Sequence, residues 1–143
     1  MTYQKAYNSS MGKVSKSDKQ WRSELGKERY EILRQKATEA PFSGEYDAFF
    51  EQGDYRCAGC QAVLFDDDAK FDAHCGWPSF YDAKPGSVEL RADSSLGMER
   101  TEVVCAKCGG HLGHVFEGEG FSTPTNQRYC INSLSLEFTP QAK

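Results

Sequence analysis

Six cysteines are the residues of this 143-residue chain most suited to chemistry, and their spacing divides them into two groups. Four of them form two C-x-x-C pairs, CAGC and CAKC, which place Cys57 with Cys60 and Cys105 with Cys108. Two such pairs are typical of a tetrahedral zinc site, because each pair offers two thiolates at the right separation. A redox dithiol is the alternative, but it usually opens a helix in a βαβ unit, and no such pattern is present. The sequence therefore predicts one structural Zn²⁺.

The other two cysteines, Cys75 and Cys130, are candidates for reactive thiols. Cys130 lies in RYCIN, and the alternation of a strand would place Arg128, Cys130 and Asn132 on one face. A neighbouring cation favours the thiolate, which is the nucleophilic form of cysteine. A buried core cysteine is the common alternative, but Arg128 and Asn132 on the same face favour the reactive interpretation.

Cys75 lies in the stretch HCGWPSF, which has the residues of a turn. Gly76 and Pro78 favour a turn that exposes Trp77, although a core tryptophan is the alternative. His74, beside Cys75, is expected in an exposed loop.

HLGHVF contains two of the three histidines, His111 and His114. A histidine pair can accept and donate protons near neutral pH. Positions three apart face opposite ways on a regular strand, so both reach one site only if Gly113 permits a bulge. One functional and one structural histidine is the alternative.

Composition narrows the function classes. The net charge of −4 argues against a nucleic-acid partner, because phosphate binding needs a basic face. The sequence has no apolar run of membrane-spanning length, and its first residues lack the apolar segment of a signal peptide. We therefore expect a cytoplasmic, reducing location, in which cysteines more often bind metal or do redox chemistry than form structural disulfides. Monomer is the default expectation.

The chain divides into a polar segment, residues 1–16, predicted to be a flexible tail, and a single domain, residues 17–143. Ser17 and Gln20 predict a capped helix ending at Gly26, and a second helix is predicted over residues 27–36. From Gly53 onward, short apolar runs alternate with turn residues, which predicts a mainly β sheet pair or barrel. The runs are DYRC, AVLF, SFYD, SVELR, TEVVC, HLGHVF, RYCIN and LSLEF.

Together these motifs resemble the B-type methionine-R-sulfoxide reductases. The matching stretches, between about residues 21 and 138, include EAPFSGEY, YRCAGC, AHCGWPSFYD, ERTEVVCAKCGGHLGHVF and RYCINSLSLEF. The resemblance implies two antiparallel sheets in a small barrel-like β-domain, with short N-terminal helices outside and a zinc site of four cysteines. It implies an oxidoreductase that returns the R epimer of methionine sulfoxide to methionine, a repair of oxidised protein.

The resemblance also implies a role for each matching residue. Cys130 would be the nucleophile and Cys75 the resolving cysteine, giving a disulfide that thioredoxin reduces. His111, His114, Arg128 and Asn132 would surround the sulfoxide, Trp77 and Phe116 would bind the substrate, and the four paired cysteines would hold zinc. Glu119 is offered for an acid that supports the site.

Three other functions remain open. A zinc-ribbon binding module explains the four paired cysteines alone. A binding protein that has lost catalysis is disfavoured by the presence of Cys130, both histidines, Arg128 and Asn132. A peroxide-sensing thiol protein would use Cys75 and Cys130 without preference for methionine sulfoxide.

Overall fold

The computed structural model describes residues 14–120 and 123–140, which form two helices followed by nine strands. The helices are α1 (Asp18–Leu25) and α2 (Lys27–Gln35). The strands are β1 (Gly53–Cys57), β2 (Val63–Asp66), β3 (Lys70–Phe71), β4 (Ser79–Phe80), β5 (Val88–Asp93), β6 (Arg100–Cys105), β7 (His111–Glu117), β8 (Gln127–Ile131) and β9 (Leu136–Pro140). Each predicted strand has a counterpart, and only β3 was missed, because two residues carry no alternation. The predicted tail falls mostly on residues 1–13, outside the described residues.

The two helices begin and end where the sequence predicts. The Ser17 hydroxyl accepts the N–H of Gln20, and the Gln20 side chain accepts the N–H of Ser17, so the capping box is confirmed. Gly26 separates the helices. Arg34 on α2 donates to the carbonyl of Cys108 at 2.9 Å, which ties the helix to one of the C-x-x-C turns. Neither helix within the described ranges has the length and apolarity needed to cross a membrane.

All strand pairs are antiparallel and form two sheets. One sheet has the order β9-β1-β2, and the other has the order β3-β4-β8-β7-β6-β5. The predicted pair of antiparallel sheets is therefore confirmed. The pairings of the described strands join neither sheet into a closed barrel.

Aromatic side chains fill the space between the two sheets. Tyr55, Phe65 and Phe80 are fully buried. Phe65 stacks on Phe80 with ring centroids 4.3 Å apart, and Tyr55 meets Phe80 edge-on at 5.0 Å. Removing each ring from water contributes about 1.5–3 kcal/mol, so this core fixes the sheet that carries the reactive residues.

A bulge interrupts the pairing of β6 with β7. Val103 lies opposite Gly113 and Val104 lies opposite His111, which leaves Leu112 as an extra residue. An extra residue shifts the alternation of side chains by one position. The rings of His111 and His114 therefore come within 5.5 Å of each other, centroid to centroid. The predicted bulge, which both histidines need in order to reach one site, is confirmed.

Candidate active site and metal centre

Cys130 lies on β8, inside the six-stranded sheet. It is paired with His114 of β7 on one side and with Ser79 of β4 on the other. Directly opposed residues of antiparallel strands share a face, so the thiol, the imidazole and the hydroxyl form one row. Tyr129 and Ile131 are buried on the other face, as the alternation predicts.

Cys75 comes to this row from the loop before β4. Its Sγ lies 3.8 Å from Sγ of Cys130 and 3.3 Å from Oγ of Ser79. Both cysteines are free thiols. Because a disulfide has an S–S distance of about 2 Å, a small movement would join them. His74 points away, with 84% of its side chain exposed and Nδ1 3.3 Å from Asp72.

The two thiols perturb each other strongly. The hydrogen bond with Cys130 lowers the pKa of Cys75 to about 5, with help from Ser79 and Arg128. The same hydrogen bond, together with burial, raises the pKa of Cys130, against the lowering effect of Arg128. The pair thus holds one negative charge and one shared proton. The neighbouring cation does act in the expected direction, since Arg128 lowers the pKa of Cys130, but the contact with Cys75 outweighs it.

Arg128 is fixed by two contacts. Its Nε lies 2.8 Å from Oε1 of Glu119 and its Nη2 lies 3.2 Å from Oε2, a bidentate ion pair. The Glu119 carboxylate raises the pKa of Arg128, and the guanidinium lowers the pKa of Glu119. The guanidinium also lies over the ring of Phe116 at 4.5 Å. Glu119 thus holds the cation near the thiol pair.

A cavity of about 180 Å³ opens over the thiol pair. Of the residues expected at the site, seven line it: Cys75, Trp77, His114, Phe116, Arg128, Cys130 and Asn132. Thr38, Arg100 and Gly113 also line it and were not anticipated. Thr38 lies in a loop with no recognisable sequence motif, and Arg100 resembles any basic residue on a strand. Nothing in the sequence therefore marks either residue as part of the site.

The two histidines occupy different environments. His114 lines the cavity, with Nε2 2.7 Å from Oδ2 of Asp93. His111 is 3% exposed and is not among the residues that line the cavity, with Nδ1 2.7 Å from Oε2 of Glu102. Burial lowers the pKa of His111 despite the opposing effect of Glu102. Of the two histidines, His114 is therefore the one on the cavity surface.

Asn132 and Trp77 are held by one segment, residues 38–40. The backbone N–H of Glu39 donates to Oδ1 of Asn132 at 3.0 Å, and its carbonyl accepts Nε1 of Trp77 at 3.1 Å. Asn132 also donates from Nδ2 to the carbonyl of Leu112 at 3.0 Å. The buried Asn132 amide thus anchors one side of the cavity while Trp77 forms a wall, and sequence reasoning gave Glu39 no role.

The four paired cysteines converge at a second place. Their ligand atoms all lie within 4.8 Å of one another. The closest pairs cross between the two motifs, with Cys57 Sγ 3.7 Å from Cys108 Sγ and Cys60 Sγ 3.6 Å from Cys105 Sγ. Sulfurs bound at about 2.3 Å around a tetrahedral zinc lie roughly 3.8 Å apart. The cluster can hold a metal ion, and its geometry fits zinc.

Comparison with known proteins agrees with this arrangement. The profile of the SelR domain matches residues 25–140. The chain is 54% identical over 129 residues to "Peptide methionine sulfoxide reductase MsrB" of Leifsonia xyli, covering 90% of this chain and 92% of that protein. It is 52% identical over 131 residues to "Peptide methionine sulfoxide reductase B3" of Arabidopsis thaliana, covering 92% and 73%.

One solved structure shares the fold alone. The "Crystal Structure of Mis18 'Yippee-like' Domain" matches with a TM-score of 0.52 at 17% identity, covering 65% of this chain and all of that one.

Fold and site define a mainly β protein with a two-thiol cavity and a separate four-cysteine cluster able to hold a metal. The chain belongs to the SelR domain family.

Proposed function

We propose that the protein reduces the R epimer of methionine sulfoxide in oxidised proteins to methionine. The observation that carries the proposal is the cavity in which Cys130, Cys75, Arg128 and His114 meet. The relatives named peptide methionine sulfoxide reductase support the same reaction and an oxidoreductase class.

The reaction begins at Cys130. When the shared proton lies on Cys75, the Cys130 thiolate is free to attack the sulfoxide sulfur. His114 supplies a proton to the sulfoxide oxygen, because its ring lines the cavity whereas His111 is buried and does not line it. In the adduct the oxygen then moves from the methionine sulfur to Cys130 while the bond between the two sulfur atoms breaks, so methionine leaves and Cys130 becomes a sulfenic acid.

Cys75 then resolves the sulfenic acid. Its thiol condenses with the sulfenic sulfur, which forms the Cys75–Cys130 disulfide and releases water. The 3.8 Å separation of the two sulfur atoms supports this step. An external dithiol, for which we propose thioredoxin, reduces the disulfide by exchange and is itself oxidised.

Trp77 and Phe116 give the cavity its apolar surfaces. Trp77 is fixed through its indole N–H to the Glu39 carbonyl, so it can act as a wall for the S-methyl group. A tetrahedral sulfoxide that places its methyl against this wall, its oxygen toward His114 and the rest of its side chain toward the cavity opening has only one hand. This arrangement supports selectivity for one epimer.

The four-cysteine cluster is proposed to hold one Zn²⁺. With four thiolates as ligands the ion would be closed to substrate and would serve structure alone. The location we propose is the cytoplasm, whose reducing conditions keep cysteines available for metal binding and redox chemistry.

The test is turnover of separated R and S epimers of dabsyl-methionine sulfoxide with dithiothreitol. We expect reduction of the R epimer only, no turnover by Cys130→Ser, and retained turnover by Cys75→Ser, since dithiothreitol can reduce the sulfenic acid directly. Failure of the folded, metal-loaded protein to reduce either epimer would refute the proposal. Disulfide formation with hydrogen peroxide in that case would favour a thiol sensor.

A further inference from the structure

Two buried carboxylates stand behind the histidines on neighbouring strands. Asp93 ends β5 and is 4% exposed, and Glu102 lies on β6 and is 8% exposed. Asp93 contacts Nε2 of His114, and Glu102 contacts Nδ1 of His111, both at 2.7 Å. We call these two acids the carboxylate pair.

Lys36 joins the two members of the carboxylate pair. It caps the C-terminus of α2, and its Nζ lies 3.4 Å from Oδ1 of Asp93 and 3.4 Å from Oε1 of Glu102. Its side chain is 42% exposed, whereas the two carboxylates are almost fully buried. One cation from the helix layer thus balances two acids in the sheet.

The contact with Asp93 decides which nitrogen of His114 is free. An ionised carboxylate only accepts hydrogen bonds, and the contact with His114 lowers the pKa of Asp93. Nε2 of His114 therefore carries the hydrogen that Asp93 accepts. Nδ1 is left as the ring nitrogen that can serve the cavity lined by this residue.

We propose that Asp93 is the positioning residue of His114: its carboxylate accepts the Nε2 hydrogen and holds the ring with Nδ1 available to the substrate, and Lys36 helps to hold that carboxylate. The inference rests on the proposed function, in which His114 delivers the proton. It adds two residues, on β5 and at the end of α2, that do not touch the reacting atoms.

The charged and titratable groups around His114 come from every element packed against it. They are Asp93 on β5, Arg100 and Glu102 on β6, His111 on β7, Arg128 and Cys130 on β8, Lys36 at the end of α2, and Cys75 in the loop before β4. Of these, Asp93 is hydrogen-bonded to the His114 ring and Lys36 is the cation shared by both acids. Substitution of Asp93 should therefore release the ring, whereas substitution of Lys36 should leave the Asp93–His114 contact in place.

Asp93→Asn keeps an oxygen acceptor but removes the negative charge. Its amide nitrogen can also turn toward the ring, so Nε2 of His114 is no longer held as the donor and the ring loses its fixed tautomer. We expect kcat for the R epimer to fall about 10- to 100-fold, a range typical of groups that support a catalytic residue, with KM changed about twofold or less. Glu89→Gln, an exposed acid on the same strand, is the matched control and should leave kcat unchanged.

Lys36→Gly separates the cation from the backbone. Lys36 has φ of 62°, a left-handed conformation that glycine adopts without strain. Relief of that strain offsets part of the cost of leaving the two buried carboxylates without this cation. The Asp93–His114 contact remains, so kcat should fall much less than in Asp93→Asn.

A rise in KM equal to the fall in kcat in Asp93→Asn would mean a purely structural role and would overturn the inference, as would kinetics unchanged from the parent. ¹⁵N ring shifts of His114 give a readout that does not depend on turnover. Above the pH at which the imidazolium deprotonates, we expect Nε2 protonated in the parent and mixed tautomers in Asp93→Ala. A parent protein with this tautomer but no reductase activity would refute the proposed function and keep the positioning role, whereas a protonated Nδ1 would refute the positioning role alone.

Discussion

The thiol pair shows how one residue sets the chemistry of another. Cys130 is the largest cause of the lowered pKa of Cys75, ahead of Ser79 and Arg128. A thiol with a pKa of about 5 is ionised at neutral pH and gains a proton only as the pH falls toward that value. The pair should therefore be reactive throughout the neutral range.

Cys130→Ala should return Cys75 toward ordinary behaviour. Removal of the main hydrogen-bond donor raises the pKa of Cys75. The rate at which Cys75 reacts with iodoacetamide should therefore begin to increase only at a pH several units higher than in the parent. The rate of alkylation at position 75, followed by mass spectrometry between pH 4 and 10, measures this shift.

Ser79→Ala is the matched control for that titration, since it removes only the weaker hydrogen bond to Cys75. The pH dependence of Cys75 alkylation should move less in this variant than in Cys130→Ala. If Cys130→Ala left the alkylation profile of Cys75 unchanged, the two thiols would not share a proton.

Glu119 makes a second prediction at the residue scale. Glu119→Gln should weaken the bidentate pair that holds Arg128 and lower kcat/KM for the R epimer severalfold. The effect should be modest, because the carboxylate is 37% exposed and solvent screens the pair. Steady-state kinetics at low and high salt measure it.

Glu117→Gln is the control, since this exposed acid at the end of β7 lies two residues before Glu119. Equal losses in the two variants would show that Arg128 is held by general charge and not by Glu119.

At the scale of elements, the close approach of β7 to β8 depends on a glycine. A Cβ at Gly113 would lie 2.0 Å from the carbonyl oxygen of Cys130, closer than any real contact. The close approach of β7 to β8 at this point therefore excludes every side chain. It also sets the spacing between His114 and the nucleophile strand.

Gly113→Ala should lower the free energy of unfolding by about 1–3 kcal/mol, as overpacked sites do, and should abolish most of the reductase activity. Forcing the strands apart displaces His114 and Cys130 together. Urea unfolding and turnover of the R epimer give the two values.

Gly86→Ala separates backbone strain from the clash. Gly86 has φ of 73°, and no atom lies within 4 Å of the position that a Cβ would take there. The substitution should therefore cost about 1 kcal/mol and leave turnover intact. A Gly113→Ala variant with parental activity would mean that the close approach of β7 to β8 is not needed for the site.

The sequence was sufficient for most elements because each has a local cause. The capping box of Ser17 and Gln20 marks α1, and the alternation in RYCIN places Cys130 on the face opposite Tyr129. The need for a bulge could be predicted, because two histidines three residues apart face opposite ways on a regular strand. The position of the bulge is seen only in the pairing of β6 with β7.

The acids behind the histidines could not be predicted, because their role depends on distant contacts. Asp93 is 21 residues from His114, and Glu39 is 93 residues from Asn132. A carboxylate in a strand pattern is usually exposed, so sequence alone gives no reason to bury one. Only the side-by-side pairing of β5, β6 and β7 shows that Asp93 and Glu102 lie next to the imidazoles.

At the scale of the whole molecule, the cysteine cluster connects the two sheets. Cys57 ends β1 of the three-stranded sheet, and Cys105 ends β6 of the six-stranded sheet. The turns that follow these strands supply Cys60 and Cys108. An ion held by all four cysteines would cross-link the two sheets through residues that are far apart in the sequence.

Metal removal should therefore destabilise the fold as a unit. We expect the purified protein to contain one zinc per chain, and a strong chelator to lower its melting temperature, because metal-binding free energy is folding free energy for such sites. Calorimetry with and without chelator, with metal content by mass spectrometry, measures both.

Cys75→Ser/Cys130→Ser should bind the same amount of zinc and lose the same stability on chelation, since these thiols lie outside the cluster. A melting temperature that does not respond to chelation would contradict a structural role for the metal.

The position of the two reactive thiols has a consequence for how the molecule is recognised. Cys130 sits on an inner strand, Cys75 is already 3.8 Å from it, and closing that gap to about 2 Å needs only side-chain rotation and a slight loop movement. The oxidised and reduced forms should then have almost the same surface. Because the two forms differ so little in shape, a reductant must distinguish the oxidised form by the reactivity of its sulfur–sulfur bond.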